Sequence, residues 1–313
     1  MFVWGDGVVT AAGKPLADRL VAISVSGNED LEPLGYTETH LHDLCIRLAR
    51  QLLGLGASIA YGGVLGSGTV TSTVHGIARH EALDHPSRQP GAKRPAPFVN
   101  YLAWDYHTKL SKKAEAAERG VCSYVRVDDR ADMAMTATEQ QDEAAATIRR
   151  RSHALTRMRR WLATEADAAI LIGGKRTNFQ GLMPGVLEEA LYHLEAGHPL
   201  YLVGGFGGIV ADLAQALRAP GEDLGPVLIG QGEVGTPKFH HLLDVYPENV
   251  ELGHDVSYEE ASKSYDRLTA TIGLLRSAGL QNGLTDAQNH ALWASEDVTE
   301  IVGLVRTGLE QAL

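Results

Sequence analysis

Between residues 168 and 208 two short apolar runs each stop at a cluster of glycines, and this recurrence constrains the fold more than any other feature of the chain. The first run, 168–172, ends at Gly173-Gly174, and Lys175-Arg176 lead into a polar loop up to Gly181. Pro184-Gly185 opens a helix that carries Glu188 and Glu189 near its start and closes near Gly197. Pro199 begins the second run, 200–203, which halts at Gly204-Gly205-Phe206-Gly207-Gly208. In an open parallel sheet, ligands bind beyond the carboxyl ends of the strands. Glycine at that edge lets backbone approach a ligand closely. The pattern predicts a nucleotide pocket on an α/β sheet.

The segments before it repeat the theme. Residues 20–25 read as a strand turning at Ser26-Gly27-Asn28, and 37–55 as a helix with Leu41, Leu44, Cys45, Leu48, Leu52 and Leu53 at helical spacing. The strand 58–61 runs into Gly62-Gly63 and then Gly66, Ser67, Gly68 and Thr69, ahead of a helix over 70–83. Strand, glycine turn and helix is the arrangement that offers free N–H groups and a positive dipole end to phosphate. The same turn also reads as tight packing alone, because it matches neither a Walker loop nor a clean GxGxxG. The proline-rich stretch 85–97 reads as a surface loop with a few basic residues. Strands over 98–103 and 121–127 flank a short helix over 110–119, and an arginine-rich helical region covers 133–166. A helix over 210–217 follows the second glycine cluster, and the pattern is helical again over 258–278, 285–294 and 296–313.

This order predicts a Rossmann-like, doubly wound, mostly parallel α/β sheet with a helical C-terminal extension. The expected division is a lead-in over 1–19, the nucleotide-binding α/β domain over 20–255, and the extension over 256–313, covering the sheet edge or contacting a second copy. A net charge of −11 excludes a broad nucleic-acid footprint, which needs clustered positive charge, but not a small anionic ligand. Two cysteines in apolar context, Cys45 and Cys122, read as buried thiols. His240-His241 lack any ligand spacing, so no metal and no resident cofactor is expected. No apolar run suits a membrane span and no signal-peptide pattern is present, which points to a reducing cytoplasm.

The central string also resembles a known family. Gly173-Gly174-Lys175, Pro184-Gly185 with Glu188-Glu189-Ala190, and Gly204-Gly205-Phe206-Gly207-Gly208, with Asn282-Gly283-Leu284 and Asn289 in the tail, resemble the SLOG superfamily. That group includes the LOG phosphoribohydrolases, the DprA/Smf proteins and the TRPM-channel cytosolic domains. The nearest likeness is to the bacterial branch that travels with TIR- and sirtuin-type defence effectors. The resemblance implies a Rossmann-like fold binding nucleotides or ADP-ribose- or NAD-derived relatives, as a sensor in signalling or defence. The apolar positions of the tail helices lead to the expectation of a homo-oligomer, and a sensor role adds an effector protein encoded elsewhere as a candidate partner. In the phosphoribohydrolases a Glu and an upstream Arg carry out N-glycosidic chemistry, and here Glu189 and Arg159 are the matching residues. Val186 stands where that motif has Thr, and residues 175–183 intervene as a loop, so binding ranks ahead of cleavage. A purely structural or interaction domain is the third reading.

The residue chemistry fits these readings. Glu188 and Glu189 point about 100° apart on a helix, so one of them faces the pocket, and spacing favours Glu189. That carboxylate can accept from ribose hydroxyls, steady an oxocarbenium-like carbon, or simply favour the helix dipole. Lys175 and Arg176 read as a phosphate clamp or a solvated pair. Phe179 and Phe206 read as base-stacking or packing rings. The expected ligand contacts are Ser26, Gly27, Asn28, Gly62, Gly63, Gly66, Ser67, Gly68, Thr69, Gly173, Gly174, Lys175, Arg176, Gly185, Glu188, Glu189, Gly204, Gly205 and Phe206.

Overall fold

The computed structural model describes residues 14–63, 70–84, 96–107, 110–127, 143–181, 183–218 and 261–313. Gly66, Ser67, Gly68 and Thr69, most of the proline-rich loop, and His240-His241 lie outside them. Six strands form one sheet: β1 (Leu20–Ser26), β2 (Ser58–Gly62), β3 (Phe98–Leu102), β4 (Cys122–Arg126), β5 (Ala168–Gly173) and β6 (Leu200–Val203). Their order is β4-β3-β2-β1-β5-β6 and every pairing is parallel. The fold is the doubly wound, Rossmann-like α/β architecture. The central strands are apolar without alternation because helices cover both faces; all six residues of β5 are buried.

The helices are α1 (Glu38–Gly54), α2 (Val70–Asp84), α3 (Trp104–His107), α4 (Lys112–Ala117), α5 (Glu143–Glu165), α6 (Gly185–Glu195), α7 (Gly208–Arg218), α8 (Ala261–Ala278), α9 (Asp286–Ala294) and α10 (Val298–Ala312). One core lies under α5, α6, α7 and α8, where Met158, Leu187, Leu191, Leu213 and Leu268 meet Ala22, Ala60, Leu171 and Leu202. The other lies under α1, α2, α9 and α10, where Leu41, Leu44, Leu48, Val74, Leu292, Ile301 and Val305 meet Ile23, Ile59, Ile170 and Val203. The one helix expected over 110–119 is shorter, and the single-turn α3 before it has no periodicity to announce it. Cys45 and Cys122 are free, buried thiols, and burial pushes both up to about 12.

The tail covers the exposed side of β6. An open strand edge leaves backbone groups unpaired and invites association. Here Asn282 Nδ2 donates to Leu200 O at 2.8 Å and to Asn289 Oδ1 at 2.9 Å. In return Tyr201 Oη donates to Asn282 O at 2.8 Å. Thr285 and Asp297 then cap α9 and α10, so the chain turns sharply at each helix start.

Asn282 is fully buried, so its removal strands a buried carbonyl at the sheet edge. Asn282→Ala is expected to lower unfolding free energy by about 1–3 kcal/mol, read from urea denaturation midpoints. A change indistinguishable from zero would mean the tail does not hold this edge.

Candidate functional site

The sheet changes direction between β1 and β5. From β1 the chain steps outward through β2, β3 and β4, then returns by α5 to pair β5 on the other side of β1. Such a reversal opens a crevice at the carboxyl ends of the two central strands, and ligands of doubly wound sheets bind there. Ser26 and Gly173 are registered partners at that end.

The glycines around the crevice pack against protein. Gly173 has φ +66°, and a Cβ there would lie 2.5 Å from Ser26 O. Gly174 has φ +93°, and its Cβ would lie 2.7 Å from Ile209 Cγ2. Gly174 N donates to Ser26 O at 2.9 Å, and Ile209 N donates to Gly174 O at 2.9 Å. Gly204 and Gly205 lie directly against the carbonyls of Trp293 and Ser295. These four were expected to line a ligand, and in the structure the absence of a Cβ at each makes room for close contacts with backbone and side chains of the chain itself. Gly62 lies under Met158, and Gly63 lies beside Tyr61 and Thr71. Gly27 lies against the carboxylate of Glu38.

Several polar candidates are likewise engaged within the chain. Asn28 Nδ2 donates to Phe206 O at 3.1 Å, and Asn28 Oδ1 accepts from Asp30 N at 2.9 Å. Ser26 Oγ donates to Gly27 O at 3.2 Å. Phe206 is buried with its ring 5.1 Å from that of Tyr36, and Phe179 is buried too, so both rings pack rather than stack on a base. Arg176 is no open phosphate clamp: its Nε and Nη2 donate to Asp212 at 2.6 and 2.8 Å, and Nη2 lies 2.8 Å from Asp30. The hydrogen bonds it donates to Asp212 and Asp30 hold its charge and raise its pKa. Asp30 Oδ2 also accepts from Gly208 N at 2.8 Å, placing an internal anion at the start of α7. Lys175, beside Arg176, is exposed and makes no ion pair among the described residues.

Against this packed corner, the two glutamates of α6 diverge as helical geometry requires. Glu188 is buried and turns toward α5, where it accepts from Thr156 Oγ1 at 2.6 Å and from Arg159 Nη1. Tyr192 Oη adds a third donor at 3.3 Å. Glu189 turns toward the end of β1, meets the hydroxyl of Ser24, and keeps 12% of its side chain exposed. Arg159 Nε stands 3.7 Å from Glu189 Oε1. Gly185 gives the arginine room, since a Cβ there would lie 2.5 Å from Arg159 Nη2. Gly185 therefore makes room for the guanidinium.

Electrostatics separates the two acids. Burial pushes Glu189 up to about 7; Arg159 and Ser24 offset part of that rise and the charge of Glu188 adds to it. Burial pulls Arg159 down, but the charges of Glu188 and Glu189 together outweigh it, so Arg159 stays firmly protonated. A carboxyl near neutrality at a partly open position can accept hydrogen bonds or exchange a proton. Thr156 and Ser24 complete this cluster; Thr156 was not singled out by sequence reasoning, whereas Ser24 opens the small polar stretch 24–28 at the end of β1 that favoured a functional reading there. The only hint of Thr156 was its i, i+3 spacing to Arg159 on a helix otherwise crowded with arginines. Among the described residues no cluster of His, Cys, Asp and Glu could hold a metal, and no helix is long and apolar enough to cross a membrane.

A family model described as SLOG cluster2 matches residues 15–292, which is most of the chain. No curated protein matches it.

The raised Glu189 has a definite linkage sign. Between its ordinary value of 4.5 and about 7, the folded protein keeps a proton that the unfolded chain has released. Stability therefore falls as pH rises through that window, by up to about 3 kcal/mol. Glu189→Gln is expected to flatten the slope in urea unfolding measured from pH 4.5 to 7.5; an unchanged slope would deny Glu189 this environment.

Proposed function

The chain belongs to the SLOG superfamily, and from that premise we propose that the β1/β5 crevice binds an ADP-ribose- or NAD-derived nucleotide, with Glu189 on the ribose. Membership supports a nucleotide-related role on a Rossmann-like fold in general. The observation that carries the finer reading is the placement of Glu189: a carboxyl at the switch point, held between Ser24 and Arg159, with an opening to solvent. Ribose hydroxyls are donors that such a carboxyl accepts from. Lys175, leaving the same glycine corner uncommitted, supplies a point charge for phosphate. The ligand acts as a signal, read out through the oligomeric state of this chain or through an effector protein encoded elsewhere, in a defence or signalling setting inside the cytoplasm.

One observation favours a second reading, cleavage of the N-glycosidic bond of a nucleoside 5′-phosphate. Arg159 and Glu189 are neighbours across α5 and α6, and a carboxylate beside the ribose stabilises the positive charge that develops as that bond breaks. The raised value of Glu189 ranks this second. A carboxyl partly protonated at neutral pH accepts hydrogen bonds from a bound sugar but gives up much of the anionic charge that cleavage draws on.

Calorimetry and thermal shift with ADP-ribose, cyclic ADP-ribose, NAD, AMP and ATP test the proposal. At least one is expected to bind, and Glu189→Ala is expected to weaken it about tenfold, or ~1.4 kcal/mol. Silence from all five overturns the binding reading. Chromatography of the same mixtures for free base and ribose phosphate decides between the two readings: release that disappears in Glu189→Ala makes the chain a hydrolase. Light scattering during size exclusion, with and without the bound nucleotide, reads the assembly.

A further inference from the structure

Two acids one residue apart share a single buried cation. The guanidinium of Arg159 is held on one side by the start of α6 and the loop before it, where Gly185 and Gly181 lack the Cβ atoms that would crowd it. Its Nη1 edge goes to Glu188 Oε2, a carboxylate that also collects Thr156 Oγ1 and Tyr192 Oη. Its Nε edge is left pointing at Glu189 across 3.7 Å, longer than a hydrogen bond. Among the described residues, the groups facing Glu189 are Arg159 from α5, Glu188 from its own helix, Ser24 from β1 and Tyr61 from β2. One positive charge cannot neutralise two carboxylates. The better-contacted acid, Glu188, takes its hydrogen bond, and Glu189, buried with the same cation only at 3.7 Å and a like charge beside it, is shifted toward its neutral form.

We propose that Glu188 is a positioning residue: by holding the Nη1 edge of Arg159 it keeps the arginine from closing on Glu189, and so leaves Glu189 as the acid that meets ligand. This deepens the nucleotide reading of the site and rests on it for the word ligand, but the control of Glu189 by Glu188 is a property of the free protein. The raised value of Glu189 agrees with the geometry. Replacing Glu188 with a neutral isostere removes its like charge and frees Arg159 to close from 3.7 Å to hydrogen-bonding distance of Glu189, and both changes favour the charged form of Glu189.

The test is a carbon-13 titration of the glutamate carboxyls in the ligand-free protein. In the wild type one carboxyl is expected to titrate near neutral pH, and to vanish from the spectrum in Glu189→Gln. In Glu188→Gln the same carboxyl is expected to titrate at least about one pH unit lower, a tenfold loss of proton affinity. Thr156→Val and Tyr192→Phe loosen the same buried cluster without removing its charge, so they are expected to lower the thermal midpoint and leave that titration in place. A merely structural Glu188 would lower the midpoint too but leave the titration unmoved, and an unmoved or rising value in Glu188→Gln overturns the proposal. Should Glu188→Gln not fold, the proposal still fails if the near-neutral carboxyl survives Glu189→Gln. Loss of all nucleotide binding alongside the expected titrations removes the ligand reading and leaves the positioning role of Glu188 standing.

Discussion

The pairing of β1 with β5 is the constraint from which the rest of this structure follows. It is the line where the strand order reverses, and it runs in register from Val21–Ala168 to Ser26–Gly173. At its carboxyl end the backbone of β5 bends over Ser26 with two consecutive residues at positive φ, a conformation glycine adopts without steric cost. The start of α7 then stacks on that bend through the bond from Ile209 N to Gly174 O. A side chain at Gly173 or Gly208 would separate layers that now touch backbone to backbone, and one at Gly174 would strike the side chains of Ile209 and Val186. The crevice exists because β2 and β6 depart from this seam in opposite directions.

Closing the seam so tightly determines where a ligand has room. On the β6 side, Asp30 fills the start of α7, Arg176 ties it to Asp212, and Phe206 is buried against Tyr36. The loop after β1, the helix α7 and the turn before α10 are thereby bound into one block, with Tyr36 Oη donating to Glu296 at 2.6 Å. On the α5/α6 side, the chain leaves a carboxyl at partial exposure and an arginine whose charge is divided. The site's chemistry is concentrated on that side because the other is occupied by the protein's own anion.

Much of this was legible in the sequence, though not always with the right meaning. Strand and helix identity followed from apolar runs punctuated by glycine, since Gly173, Gly204 and Gly62 do end strands. The purpose of those glycines was not legible. Glycine is required equally where a ligand approaches backbone and where another strand does, and only the neighbours Ser26, Trp293 and Ser295 distinguish the cases. That Glu188 and Glu189 would face different ways followed from helical geometry alone. That Thr156 and Ser24 would be their partners depended on how α5 and β1 meet α6, contacts across 32 residues and more that leave no local trace. Arg176 misled for a related reason. A cation after a strand end suits phosphate, but two aspartates, one 146 residues before it and one 36 after, reach it first in the fold.

A site of this kind separates recognition from reaction by how one positive charge is apportioned. Hydrogen bonding to a sugar asks only for an acceptor in the right place, and a carboxyl near its titration point provides that in either form. Stabilising an oxocarbenium-like carbon asks for a full negative charge close by, which burial opposes unless a cation compensates. Here the compensating cation is hydrogen-bonded to the neighbouring acid, Glu188, and only approaches Glu189. The deeper acid is thus the electrostatic counterweight and the outer one the responsive group. A ligand phosphate arriving beside Glu189 would raise its proton affinity further, whereas a cationic ring would lower it and call out the anion. Whatever enters the crevice therefore meets a charge balance set by the Arg159–Glu188 pair.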